Sequence, residues 1–214
     1  MKPVLVLRPE PEADRTAALL RARGREPIVS PILAVEAVPS DVPVGPFDAV
    51  IVSSARAVPH LLPDELAAPA FVVGETTARA LRERGGRVRA VAPDGEQLVA
   101  TIRDALSGGR LVHPCGAHVA FDFAAALAPL FRVERRTVYR TVARSLTPEA
   151  RRRDAIALLT SPRIATLLAA ERPELDAVAL SEAVMAAWTD GGGRSGPVAR
   201  EPTMASLLDA LDAV

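Results

Sequence analysis

Residues 49–58, AVIVSSARAV, run apolar as far as Val52, stop on Ser53-Ser54 and resume as Ala55-Arg56-Ala57-Val58. The apolar run reads as a buried strand and the continuation as the first turn of a helix. Ser54 falls at the corner, where its hydroxyl can cap free backbone N–H groups. Such a corner presents N–H donors and one arginine to whatever lies in front of it. The same pattern returns at 156–165, IALLTSPRIA, with Ser161-Pro162-Arg163 in place of Ser54-Ala55-Arg56. Ser161 follows Ser54 by 107 residues, half of a 214-residue chain. A corner that recurs at half the chain length constrains the fold to two copies of one strand-corner-helix layer.

The neighbouring segments keep the offset. AFVVGETTARA (70–80) sets Gly74 against Ser181 in AVALSEAVMAA (177–187), again 107 residues on. APDGEQLV matches REPTMASLL with a slip of about two residues. At the other end, LVLRPE matches LVHPCG at 111–116, setting Leu5 against Leu111. The middle of the chain thus holds four units in a row: the Ser-Ser corner, the Gly corner, the Pro93-Asp94-Gly95 turn and a His113-Pro114-Cys115-Gly116 turn. The N-terminal unit corresponds to the fourth of these, and the C-terminal third to the first three.

Read in order, PVLVLR (3–8) is a buried strand, 12–24 a helix stopped by Gly24, and REPIVSP a second strand. This is a βαβ unit and implies a parallel sheet covered on both faces. The proline-rich segment 31–46 reads as an extended connector, 57–67 as a proline-broken helix, and FRVERRTVYRTVA (131–143) as a strand that runs on into a second connector. The stretch from Ser195 is expected to form a last short strand, a turn at Glu201-Pro202-Thr203 and a final helix. The expected fold is α/β: two flavodoxin-like parallel-sheet domains joined by a two-strand linker, with a cleft between them. Domain 1 is expected at 1–33 plus 146–214, domain 2 at 38–140, with linkers at 31–46 and 138–147. In such sheets ligands bind at the carboxyl ends of the strands, where every corner named above falls.

Composition narrows the chemistry. Aromatic residues are 3% of the chain while apolar residues are 49%, so the cores must be built from Ala, Val and Leu. Formal net charge is zero, and Arg151-Arg152-Arg153 is the only dense basic run, which argues against a nucleic-acid partner. That run reads as a solvated helix turn near the domain junction. Cys115 is the sole cysteine, so neither an internal disulfide nor a cysteine zinc cluster can form. No apolar run approaches the ~20 residues of a membrane span, and no signal peptide is visible. The expectation is a soluble, cytoplasmic monomer.

No nucleophile-base-acid set stands out. Cys115 lies between His113 and His118, but reads best as a small residue in a strand-end turn. His60 reads as a surface or helix-face residue and Trp188 as core. Gly191-Gly192-Gly193 follows a helix and reads as a C-terminal stop, not a phosphate cradle. Thr76 and Thr77 can donate to an anion at a helix start or simply cap it. Tyr139, the only tyrosine, sits in the returning connector. A site made of N–H groups, hydroxyls and scattered arginines, without metal ligands or a cofactor loop, suits a polyanionic ligand.

The ordered set VLVLRPE (4–10) with the following E-x-D-R-T helix, SSARAV (53–58), VVGETTA (72–78), HPCG (113–116), VYRTV (138–142), TSPR (160–163) and EPT (201–203) resembles the uroporphyrinogen-III synthase family over nearly the whole chain. The resemblance implies a cofactor-independent lyase that closes linear hydroxymethylbilane to uroporphyrinogen III, with loss of water and inversion of ring D, in haem biosynthesis. It implies that Tyr139 assists loss of the hydroxyl. It further implies that Arg8, Ser54, Ala55, Arg56, Gly74, Thr76, Thr77, Pro114, Cys115, Gly116, Ser161, Pro162, Ser181, Pro202 and Thr203 face the substrate. The chain departs from the family pattern at Ser181-Glu182-Ala183-Val184, where a Gly-x-x-Thr corner is expected. The alternative implied by that departure is a family-like paralogue that binds a tetrapyrrole or another polyanion without turnover.

Overall fold

The structure, a computed structural model, describes residues 1–39 and 45–214. The centre of the connector expected at 31–46 therefore lies outside the described residues. The chain divides into two units: Met1–Ala34 with Val142–Val214, and Val35–Thr141.

In the first unit, strands β1 (Val4–Val6), β2 (Pro27–Val29), β9 (Ile156–Leu159) and β10 (Asp176–Ala179) form a parallel sheet in the order β10-β9-β1-β2. Side chains alternate across a strand, so each strand supplies two faces. Leu5, Leu7, Ala157, Leu159, Ala177 and Ala179 pack on one side against α7 (Pro162–Glu171) and α8 (Glu182–Asp190), with Trp188 fully buried among them. The Trp188 indole N–H is satisfied by the Arg194 carbonyl at 2.9 Å. Val4, Val6, Ile156, Leu158 and Val178 pack on the other side against α1 (Glu12–Ala22) and α9 (Met204–Asp212). A short helix, α6 (Pro148–Arg152), holds two of the three consecutive arginines at its end.

In the second unit the sheet order is β3-β8-β7-β4-β5-β6, from strands β3 (Leu33–Ala37), β4 (Ala49–Val52), β5 (Pro69–Val73), β6 (Arg87–Ala92), β7 (Gly109–Gly116) and β8 (Phe131–Ala143). Ala49, Ile51 and Phe71 face α4 (Gly95–Ala105) and α5 (Phe123–Leu127). Val50, Val52, Ala70 and Val72 face a 3-10 helix (Ala55–His60) and α3 (Glu75–Glu83). The segment expected as one broken helix at 57–67 is this 3-10 helix, with Pro59 inside it, followed by α2 (Pro63–Ala67). The chain passes between the units within β3 and returns within β8.

The offset of 107 holds at the level of elements. β4 and β9 begin 107 residues apart, as do β5 and β10, and α3 and α8. Pair registers agree too: Val50 faces Ala70 as Ala157 faces Ala177. Ala49 faces Leu111 in one sheet and Ile156 faces Val4 in the other. The strand equivalent to β7 is therefore β1 with Val4, not Leu5, matching Leu111. Sequence similarity alone slid the alignment by one residue, because both positions in so short an apolar strand carry an aliphatic side chain.

Two further expectations are corrected. The stretch before the Glu201-Pro202-Thr203 turn forms only an isolated bridge, Val198 to Ala179, in place of a strand. Pro197 has no N–H to offer a ladder, which limits pairing there. His113-Pro114-Cys115-Gly116 is not a turn. It is the buried carboxyl end of β7, paired to β8 throughout. Proline reads locally as a chain breaker because it lacks an N–H, but pairing and burial of the whole segment favour extension here.

One buried ion pair ties the second unit together. Arg136 on β8 donates to both Glu65 oxygens, Nε to Oε1 at 2.8 Å, and through Nη2 to the His60 carbonyl at 3.1 Å. Glu65 also accepts from the Leu62 N–H at 2.8 Å. Glu65 is 1% and Arg136 5% exposed. Removing one partner of such a pair leaves an uncompensated buried charge. Glu65→Gln should therefore lower unfolding free energy by about 3 kcal/mol, measured by urea denaturation at pH 7; a change under about 1 kcal/mol would show that the pair is solvated.

Candidate functional site

In the second unit, β4, β5, β6 and β7 run parallel and deliver their carboxyl ends to one edge. Three of these ends turn into helices through distinct corners. Ser54 Oγ accepts from the Arg56 N–H at 3.3 Å, starting the 3-10 helix. Gly74 takes φ +79 as it turns into α3, a left-handed conformation that disfavours any residue with a Cβ. Asp94 Oδ1 accepts from the Gln97 N–H at 2.8 Å at the start of α4. The Ser54 and Asp94 caps satisfy helix N–H groups that otherwise lack partners.

A cavity of about 290 Å³ lies at this edge, lined by Ser53, Ser54, Val73, Gly95, Cys115, Gly116, Tyr139 and the segment His118 to Phe121 with Phe123. Of the residues expected from the sequence, Ser54, Cys115, Gly116 and Tyr139 meet in it. Gly74, Thr76 and Thr77 occupy the start of α3 at the same edge, Thr77 buried and Thr76 exposed, outside the cavity lining. Ala55 and Arg56 open the 3-10 helix, and Pro114 is buried within β7.

Tyr139 is aimed by a local irregularity. Along β7 and β8 the register runs evenly to Cys115 opposite Thr137, then slips, so that Gly116 faces Tyr139. Such a bulge re-aims the side chains beyond it. The Tyr139 ring lies over Gly116: a Cβ there would stand 2.7 Å from Tyr139 Cζ. It also stacks on His60, with centroids 6.4 Å apart and planes inclined by 27°. His60 is in turn held through its carbonyl by Arg136. Sequence reasoning gave His60 as a surface or helix-face residue, without this role. Its ring is half-buried, and burial, then the Arg136 and Arg84 charges, lowers its pKa.

His113 and Ser53 were not expected at the site. His113 is buried on β7, edge-on to Phe123 with centroids 5.0 Å apart, and its Nε2 is hydrogen bonded to Ser53 Oγ at 2.8 Å. Burial and the nearby Arg135 push its pKa down to about 4, against a smaller upward pull from Asp122. The imidazole is therefore neutral at physiological pH. Cys115 is buried, and burial raises its thiol pKa, only partly offset by its hydrogen bond with Arg135. It is a protonated thiol and not a nucleophile. Arg135 also donates to the Gly116 carbonyl, at 3.0 Å, and to that of Ala117. Among the described residues no three His, Cys, Asp or Glu side chains converge as metal ligands, and no helix is long and apolar enough to cross a membrane.

In the first unit the expected residues also stand at a carboxyl edge. Ser161 Oγ accepts from the Ile164 N–H at 3.3 Å, with Pro162 as the first helical residue. Thr203 Oγ1 accepts from the Ser206 N–H at 3.2 Å, next to exposed Pro202. Arg8 follows β1 and is half-buried. Ser181 starts α8 without a side-chain cap bond. A cavity of about 370 Å³ in this unit, lined by Pro197, Val198, Arg200, Ser206, Asp209, Ala210 and Ala213, includes none of them.

The fold and site together define a two-unit parallel α/β protein that offers hydroxyl and backbone N–H groups at its sheet edges. Residues 14–209 match the family model described as uroporphyrinogen-III synthase HemD. The chain belongs to the uroporphyrinogen-III synthase family, the lyase-type cyclases of haem biosynthesis that act on a linear tetrapyrrole. Sequence comparison with characterised proteins returns no match. Among solved structures, uroporphyrinogen-III synthetase from Helicobacter pylori is similar at 17% identity, with all of both chains covered and a TM-score of 0.66. A mutant uroporphyrinogen III synthase from the extreme thermophile Thermus thermophilus is similar at 18% identity over 99% of this chain and 100% of that one, with a TM-score of 0.51. At these identities the likeness is one of fold.

The low pKa of His113 has a consequence for stability. Unfolding restores an ordinary imidazole with a pKa near ~6.5. Between pH ~6.5 and ~4 the unfolded chain binds a proton that the native chain does not, so native stability is full above this window and declines as pH falls through it. The expected loss is about 3 kcal/mol, by the ~1.4 kcal/mol that accompanies each pH unit. Urea unfolding at pH 7 and pH 4.5 should show a smaller decline in His113→Phe than in the wild type; equal declines would remove His113 as the cause.

Proposed function

We propose that the chain closes hydroxymethylbilane to uroporphyrinogen III, with Tyr139 assisting loss of the hydroxyl. The carrying observation is the family match over 14–209, supported by a tyrosine that stands in a cavity with serine hydroxyl groups at a strand-end corner. In this reading the Tyr139 O–H donates to the departing hydroxyl of the bilane. The carbon–oxygen bond breaks as the pyrrole nitrogen of the adjoining ring gives up its proton, which restores the Tyr139 phenol through solvent; water leaves, and a neutral azafulvene remains. That species closes without protein to the uninverted isomer, so the protein's task is conformational. It holds the chain so that the substituted carbon of the last ring attacks first, and a positioned geometry of this kind is worth several kcal/mol of barrier. Neither a reactive thiolate nor a charged imidazole is required.

The remaining substrate contacts in this reading divide between the two units. Ser54, Ala55, Arg56, Gly74, Thr76, Thr77, Pro114, Cys115 and Gly116 serve from the second unit, and Arg8, Ser161, Pro162, Ser181, Pro202 and Thr203 from the first. The substrate's carboxylates suit helix N-termini and arginines. The protein acts as a cytoplasmic monomer, with no nucleic-acid partner, in keeping with its balanced charge.

Freshly prepared hydroxymethylbilane should yield uroporphyrin III in excess over I after oxidation of the products. A product ratio equal to that without protein would overturn the proposal. Tyr139→Phe should lower kcat by at least about tenfold, the low end of what a positioned proton donor contributes, while leaving the far-UV circular dichroism spectrum and Tm close to wild type. An unchanged kcat would take Tyr139 out of the chemistry.

A further inference from the structure

The pair Ser53 and His113 is absent from the expected substrate contacts, yet Ser53 lines the same cavity and His113 is bonded to it. Ser53 directly precedes the cap residue Ser54, and both line the cavity beside Cys115 and Tyr139. Ser54 uses its oxygen on the Arg56 N–H. The Ser53 hydroxyl is instead held by His113 Nε2 at 2.8 Å. His113 comes from β7, two strand positions before Cys115, and is 3% exposed. Phe123 meets its ring edge-on, and Phe121 packs on Phe123 with centroids 4.8 Å apart. A buried imidazole bonded to a cavity-lining hydroxyl favours one rotamer of that hydroxyl.

We propose that Ser53 is a substrate-contacting residue that donates a hydrogen bond to a side-chain carboxylate of the tetrapyrrole, and that His113 is its positioning residue, donating from Nε2–H to Ser53 Oγ. This rests on the tetrapyrrole reading above and adds a specific contact to it. A neutral imidazole carries one donor and one acceptor nitrogen. With the proton on Nε2, the serine oxygen is the acceptor and its own O–H is left free to point into the cavity. A carboxylate accepts only, so the relay N–H to O–H to carboxylate is matched at each step and each bond strengthens the next. With a charged imidazole absent, the contact works through hydrogen bonding and not through net charge. The second unit then offers the Ser53 O–H as a donor beside Ser54, whose oxygen accepts from the Arg56 N–H.

The test reads binding and turnover separately, using uroporphyrin III as an octacarboxylate probe whose affinity is followed by fluorescence. Ser53→Ala should weaken Kd about tenfold, the size expected for one hydrogen bond to a charged group. His113→Phe should weaken it by several-fold while keeping the ring packing against Phe123. The double variant should be no weaker than Ser53→Ala alone, since both changes remove one contact. His113→Gln, which keeps an N–H donor, should recover most of the loss. With hydroxymethylbilane the same variants should raise KM more than they lower kcat. Multiplying effects in the double variant, or an unchanged Kd in Ser53→Ala, would overturn the proposal. Nitrogen-15 chemical shifts placing the His113 proton on Nδ1 would overturn the donor direction and with it the carboxylate contact. If the wild type binds the probe but yields no excess of isomer III, the cyclase reading fails while the Ser53 contact is still decided by the Kd series.

Discussion

Burial of both faces of parallel strands is the constraint on which the rest depends. β4 is fully buried from Ala49 to Val52, with Ala49 and Ile51 serving one core and Val50 and Val52 the other. A strand so enclosed cannot turn back by a hairpin. It must leave through its carboxyl end into a crossover, and that forces a corner at each such end. The corners are where backbone N–H groups lose their partners. Ser54, Asp94, Ser161 and Thr203 each repair that loss with a side-chain oxygen. The polar edge is thus a by-product of the apolar core.

Within the second unit, neutral groups dominate the cavity. Burial keeps His113 uncharged and the Cys115 thiol protonated, and Arg135 is committed to two main-chain carbonyls. The charged pair that is buried, Arg136 with Glu65, is turned toward the 3-10 helix and supports His60, whose ring backs Tyr139. Charge here braces the site from behind, and hydroxyl groups face the cavity. That division suits a reaction governed by substrate conformation, in which the protein must discriminate between two ring carbons and needs little acid or base strength.

The two units share elements and registers but differ at equivalent corners. The α3 corner keeps Gly74 with a left-handed φ, followed by Glu75, Thr76 and Thr77. Its counterpart 107 residues on begins with Ser181 in an extended conformation and continues with Glu182 and Ala183. The fold tolerates both, because a parallel crossover needs only a chain reversal and a started helix. What changes is the set of side-chain donors: two threonine hydroxyls at one corner, a single serine at the other.

The sequence by itself determined the duplication, the α/β class and the family. Alternating apolar runs, capped corners and a constant offset survive in one dimension, because burial and capping act on neighbours in the chain. It also picked out Ser54, Cys115, Gly116 and Tyr139, since these sit in ordered motifs. Only the tertiary structure decided that HPCG is strand and not turn, because β8 supplies hydrogen-bond partners that no local propensity reveals. Only it brought Ser53 to His113 across 60 positions, or placed Tyr139 over Gly116 by a slip in register. Those relations depend on which strands become neighbours. Strand order is set by how whole layers bury their faces, a property of the assembled sheet and not of any segment within it.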